Sequence, residues 1–218
     1  MTATPKPKNR HHHGALRRAL LDAVADIVLE AGPDAVSLRE CARRAGVSHS
    51  AAAPHFGDLR GLLTSFATEA EAHLAQTMKN AIKALAPDAD ARARLAATGF
   101  AYMAFARDNP AHFRLMVRGD LLNRADPAWR LASQEAWRPL AEAMTSLVPG
   151  ISERALRARL ALAWAAVHGF CALRAEGTGG DLWNPEDRAQ EVADDLIELI
   201  LAACAMPDDG DERLTPAV

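Results

Sequence analysis

Aromatic residues are scarce, at 5% of the 218 residues with a single tyrosine, while half of the chain is apolar, mostly Ala and Leu. Strands draw on aromatic and β-branched side chains, so this balance points to an all-α protein. Cysteine is nearly absent. Cys41, Cys171 and Cys204 are odd in number and scattered over apolar helical stretches, which excludes a disulfide framework and fits small core residues in a reduced, cytoplasmic compartment. The N-terminus lacks the apolar core of a signal peptide. The longest apolar run, Leu160–Leu173, is interrupted by His168 and is too short for a bilayer, so no membrane partner is expected. With no strands there is no Gly-rich loop between strand and helix to cradle a phosphate. No Ser, His and acid stand in a triad order, and pairs such as Asp194-Asp195 fall on an exposed helical side. These gaps argue against an enzyme. His11-His12-His13 sits on a polar arm with nothing to fix a coordination geometry, so neither a metal nor another cofactor is expected.

Net charge is −3 but unevenly spread: residues 1–63 hold nine Lys/Arg against six Asp/Glu, and residues 64–218 hold sixteen against twenty-two. A basic head on an acidic body suits contact with double-stranded DNA at one end. The head carries the pattern for it. In Ser37–Leu63, Leu38, Cys41, Ala42 and Ala45 share a helical face, Ser37 is placed to cap that helix, and Gly46 follows where a left-handed residue would stop it. Ser48 then starts a second helix of small residues, His49 to Ala53, that His55-Phe56 ends, and Asp58 is placed to cap the next helix. Two helices joined by a tight glycine turn form a helix-turn-helix, whose second helix enters a major groove.

At Leu38, Ala42, Ala45-Gly46-Val47-Ser48, His55-Phe56 and Leu62-Leu63, with the helix that precedes them, the sequence resembles the TetR family of one-component transcriptional regulators. YMAFARDNPAHFRLMV and Trp164-x-x-x-His168-Gly169 resemble the regulatory domain of one subgroup of that family. The resemblance implies a ligand-responsive repressor that acts as a homodimer on a near-palindrome and is released by a small effector, which the large apolar residues of the body predict to be mostly apolar. His49, Ser50 and Ala51 are then expected in the groove, and Ser37, Arg39, Ser48 and His55 at phosphates. Ala53 and Leu59 stand where the family usually has an aromatic and a lysine at the DNA backbone, and Pro54 removes a backbone donor. Those departures motivate an alternative, a helical dimer that binds small molecules and whose sequence-specific DNA binding is weakened or lost.

Four segments are expected: a disordered basic arm over 1–13, the helix-turn-helix domain over 14–63, a ligand-binding and dimerisation domain over 64–206, and an acidic tail over 207–218. Arg17 and Arg18 lie off the apolar stripe of the first helix, either near phosphates or simply solvated. In the body, Phe100, Met103, Phe113, Met116, Trp137, Trp164 and His168 are the candidates to line a ligand pocket, and equally make a plain core. His168 reads either as a ligand contact or proton-linked switch, or as a satisfied core or dimer-interface residue beside a packing glycine, Gly169. The last helix is apolar on two sides, Val192/Leu196/Leu199/Ala203 and Ile197/Ile200/Leu201/Cys204. One side needs a second cover, which a copy of the chain supplies. Leu160, Val167, Leu196, Ile197, Ile200 and Cys204 are the expected dimer residues.

Overall fold

The computed structural model describes residues 10–48, 54–180 and 186–207. Among them are eight α-helices and one short 3-10 turn: α1 Arg10–Ala31, the turn Pro33–Ala35, α2 Leu38–Arg44, α3 Leu59–Lys83, α4 Ala91–Asp108, α5 Pro110–Met116, α6 Pro127–Leu147, α7 Glu153–Ala175 and α8 Glu186–Cys204. The all-α expectation holds. Helix α1 starts at Arg10, so the end of the expected arm is helical. Extending a formed helix backwards costs far less than starting one, and nothing before Ala15 stops it.

The local stops and starts follow the sequence. Ser37 Oγ accepts the Glu40 N–H at 3.3 Å and caps α2. Gly46 has φ +68°, and Val47 N–H reaches back to the Ala42 carbonyl at 3.0 Å, which closes the α2 end. Asp58 Oδ1 accepts the Gly61 N–H at 2.8 Å at the start of α3. Ser152 caps α7 through the Ala155 N–H. Pro139 lies inside α6 without ending it.

Two compact units divide the chain. Unit 1 is Met1–Glu71 with Asn109–Ser133; unit 2 is Ala72–Asp108 with Gln134–Val218. The division therefore falls inside α3, at Glu71, rather than at residue 63, and a segment from the middle of the sequence joins the N-terminal unit. Burial explains the insertion. Phe113, Leu115 and Leu122 are buried with Leu20, Val24 and Phe66, and the Phe66 ring stacks on His112 at 4.2 Å. Helices α1 and α2 alone would leave that apolar surface wet. In unit 2, α4 packs on α7 and α8, and Phe105, Met144 and Leu201 are fully buried.

Gly61 marks the tightest corner of unit 1. A Cβ on it would stand 1.9 Å from the Phe56 carbonyl oxygen, and that oxygen also accepts the Asp58 N–H at 3.0 Å. Backbone cannot swing aside as a side chain can. Gly61→Ala, although a better helix former, should lower the stability of the folded chain by about 2 kcal/mol, read as a lower urea midpoint. An unchanged or raised midpoint would show that the corner relaxes freely.

Candidate functional sites

Of the candidate DNA-contact residues, Ser37, Arg39, Ser48 and His55 lie among the described residues. Arg39 is exposed on α2, and Ser48 is exposed just after the turn. His55 is half-buried, its ring 6.2 Å from Phe56. His49, Ser50, Ala51 and Ala53 lie outside the described residues. Phe56 is half-buried, with the Arg17 guanidinium of α1 over its ring at 5.7 Å, so it is fastened to α1. Ser37 spends its hydroxyl oxygen on the cap of α2 and is exposed.

The arginines of this unit are mostly occupied. Arg17 and Arg18 both donate to Glu69, at 2.7 and 3.0 Å, and Arg18 also to Asp22, so neither is a loose phosphate contact. Arg43 grips Glu40 with two bonds of 2.7 and 2.8 Å. Arg44 shares Glu40 and forks onto Glu30. Hydrogen bonds from the two guanidiniums hold the Glu40 carboxyl down at about 2. Arg60 is turned onto backbone carbonyls. Arg39 carries no hydrogen bond or ion pair among the described residues. Sequence spacing signals helical pairs such as Glu40–Arg43, but not Glu69 with Arg17 or Glu30 with Arg44.

The seven pocket candidates separate. Phe113 and Met116 are buried in unit 1, at 4% and 8% exposure, and are core there. Phe100, Met103, Trp137, Trp164 and His168 belong to unit 2, and three of these touch. Trp164 stacks on His168 at 5.6 Å and meets Trp137 edge-on at 5.5 Å. The group gains a member that the sequence reading passed over: Tyr102, whose hydroxyl lies 2.8 Å from His168 Nδ1. Burial alone lowers the His168 pKa, so no charged group is the cause. Within unit 2 the glycine that allows close packing is Gly99, and Gly169 borders open space in the single chain. A Cβ on Gly99 would meet Ile197 Cδ1 at 2.4 Å, whereas one on Gly169 would meet nothing within 4 Å.

The candidate dimer residues also divide. Val167, Ile197, Ile200 and Cys204 are buried within unit 2, and so form its core instead of a surface. Leu160 and Leu196 are half-buried. Large apolar side chains stand exposed on α7 at Leu162 and Leu173 and on α8 at Leu199, which is 68% exposed. Helix α7 as a whole, 23 residues against the shorter run Leu160–Leu173 within it, is long and apolar enough by length and composition to cross a membrane, and most of its apolar surface is left uncovered. That outward face is the feature to explain. Its inner face packs on α4 and α8, and Arg159 donates to the carbonyls of Cys204 and Met206 at the end of α8. The three cysteines are buried, and burial raises the Cys41 and Cys171 thiols to about 11 and about 12. No group of His, Cys, Asp and Glu able to hold a metal ion occurs among the described residues.

A family profile described as "Tetracyclin repressor-like, C-terminal domain" matches residues 95–210. The chain is 37% identical over 81 residues to the HTH-type transcriptional regulator BetI of Klebsiella pneumoniae (strain 342), a match spanning 37% of this chain and 41% of that protein. Two solved structures share the fold. A protein of unknown function from Rhodococcus sp. RHA1 superposes with a TM-score of 0.70 at 28% identity, covering 91% of this chain and 100% of the other. A TetR family transcription regulator from Marinobacter aquaeolei VT8 gives a TM-score of 0.65 at 15% identity, covering 89% and 97%.

Proposed function

The chain belongs to the TetR family of transcriptional regulators, which are not enzymes, and from that premise we propose that it is a ligand-responsive repressor that binds a near-palindromic operator as a homodimer. One observation carries the reading. Helix α3 leaves the helix-turn-helix unit and continues, without a break, into the unit that holds the aromatic group. A change at one end of a continuous helix reaches the other. Arg39, Ser48 and His55 are assigned to DNA, with Ser37 beside the backbone and His49, Ser50 and Ala51 in the groove. Trp137, Trp164, His168 and Tyr102 are assigned to the effector. With the imidazole paired to a phenol and its charged form disfavoured by burial, a mostly apolar, uncharged effector fits best. Its binding favours a spacing of the two heads that no longer fits the operator, a population shift between dimer states. The dimer face is assigned to the exposed apolar residues of α7 and α8, with Leu196 and Leu199 on α8.

The second reading, a helical dimer with weakened DNA binding, gains support from the engaged arginines. Phosphate neutralisation supplies much of DNA affinity, and Arg17, Arg18, Arg43, Arg44 and Arg60 are all committed to partners inside the chain. Selection of genomic fragments by the purified protein near physiological salt separates the two. An enriched near-palindrome establishes the regulator; binding without enrichment that fades as salt rises establishes the second reading. On the enriched fragment, Arg39→Ala should weaken binding alike across sequence variants and flatten the log K against log salt slope by about 0.9. An unchanged slope removes Arg39 from the phosphate contacts.

A further inference from the structure

Residues 117–126 join α5 to α6, and all lie in unit 1. This strap is bound to the helix-turn-helix side of the unit at three points. Arg118 Nη1 and Nη2 donate to the two Asp34 carboxylate oxygens, both at 2.8 Å. The same guanidinium donates through Nε and Nη2 to Asp120, at 3.0 and 2.8 Å. Asp34 sits in the 3-10 turn, three residues before the Ser37 cap of α2. Arg60, in the first turn of α3, donates to the carbonyls of Asp120 and Leu122 at 3.2 and 3.0 Å. The Asn123 N–H donates to Thr64 Oγ1 at 2.9 Å, and the Leu122 side chain is buried. Three residues past Asn123, Asp126 caps α6 by accepting from the Ala128 and Trp129 N–H groups.

A single exposed ion pair contributes little. A guanidinium fork shared by two carboxylates differs, because its planar donors fix direction as well as distance. We propose that Arg118 is a positioning residue for DNA contact: it ties the turn that precedes α2 to the start of α6, and so links the DNA head to a second helix besides α3. Like α3, α6 starts in unit 1 and ends in unit 2. A displacement of α6 along or about its axis is handed by the strap to Asp34, and from there to the helix-turn-helix. The inference rests on the DNA-binding part of the proposed function and is independent of the effector's identity.

A double-mutant cycle on the full-length protein tests it. Trp137→Ala perturbs α6 within unit 2, and Arg118→Gln cuts the strap from Asp34. Kd is measured for the most enriched genomic fragment with wild type, both single variants and the double. Distant substitutions without a physical link act independently. The expected result is that Trp137→Ala changes Kd by about threefold or more in the wild-type background, and by a much smaller factor beside Arg118→Gln. Equal factors in the two backgrounds, or no effect of Trp137→Ala, overturn the proposal. Amide hydrogen exchange over residues 34–46 gives a second readout free of DNA: Arg118→Gln should speed it, and unchanged exchange also overturns the proposal. If wild type enriches no fragment while Arg118→Gln does speed exchange, the DNA-binding reading fails and the tie itself stands. Where Arg118→Gln does not fold, Asp34→Asn, which spares the Asp120 pair, takes its place.

Discussion

Leu199→Arg is expected to leave the chain folded and halve its mass in light scattering, whereas Ile200→Arg, one residue on, is expected to unfold unit 2. The two residues stand about 100° apart around the same helix, one on the buried face and the other on the exposed one. Ile200 is 6% exposed and shares its side with Ile197, Leu201 and Cys204, all buried, while Leu199 is 68% exposed. Arginine at 200 puts an uncompensated charge into an apolar core and removes a packed side chain. That combination belongs to the small class of substitutions that cost about 4 kcal/mol or more, a large part of the stability of a domain of this size. Arginine at 199 meets solvent in the isolated chain and costs nearly nothing there. In the proposed dimer it would face its own copy across the symmetry axis, where desolvation and like-charge repulsion act together. Full mass retained by Leu199→Arg would move the interface off this stripe. A folded, dimeric Ile200→Arg would contradict the packing of α8 itself.

That contrast also marks the boundary of what the sequence discloses. Helical periodicity is local, and so is capping. The stops at Gly46, the caps at Ser37, Asp58, Asp126 and Ser152, and the two apolar sides of α8 could all be read before any fold was known. Which side of α8 faces inward could not, because both stripes are built of aliphatic and small apolar residues and only the packing of unit 2 chooses between them. The resemblance to the TetR family located the helix-turn-helix, yet the occupation of Arg17 and Arg18 by Glu69 depends on α1 meeting α3, some fifty residues apart. The insertion of 109–133 into the N-terminal unit is of the same kind. Tyr102 could have been singled out by one signal: it is the only tyrosine in the chain, in a helix that also supplies Phe100 and Met103. A buried hydroxyl needs a partner, and His168 provides it.

Glu71→Gln is expected to abolish most of a pH dependence of stability that wild type shows near neutrality. Glu71 lies in α3 at the end of the first part of unit 1, 7% exposed, and no hydrogen bond or ion pair to its carboxyl occurs among the described residues. Burial with no compensating cation raises its pKa from 4.5 to about 7. The folded chain thus holds the Glu71 proton more tightly than the unfolded chain does. The stability linked to that proton is complete below the unfolded value of 4.5 and is lost as pH rises through about 7. Above that range the loss amounts to about 3 kcal/mol, at 1.36 kcal/mol for each unit of difference. Glutamine keeps the shape and has no proton to lose, so its own unpaired amide lowers stability equally at every pH. Urea denaturation of both proteins at pH 5 and pH 8 separates the effects. The stability of Glu71→Gln relative to wild type should rise by about 2.5 kcal/mol between the two conditions, since a little of the linked stability is already lost at pH 5. A difference that stays constant would mean that the carboxyl finds a cation or water inside the fold, and that α3 crosses the boundary between the two units without a buried acid to ionise.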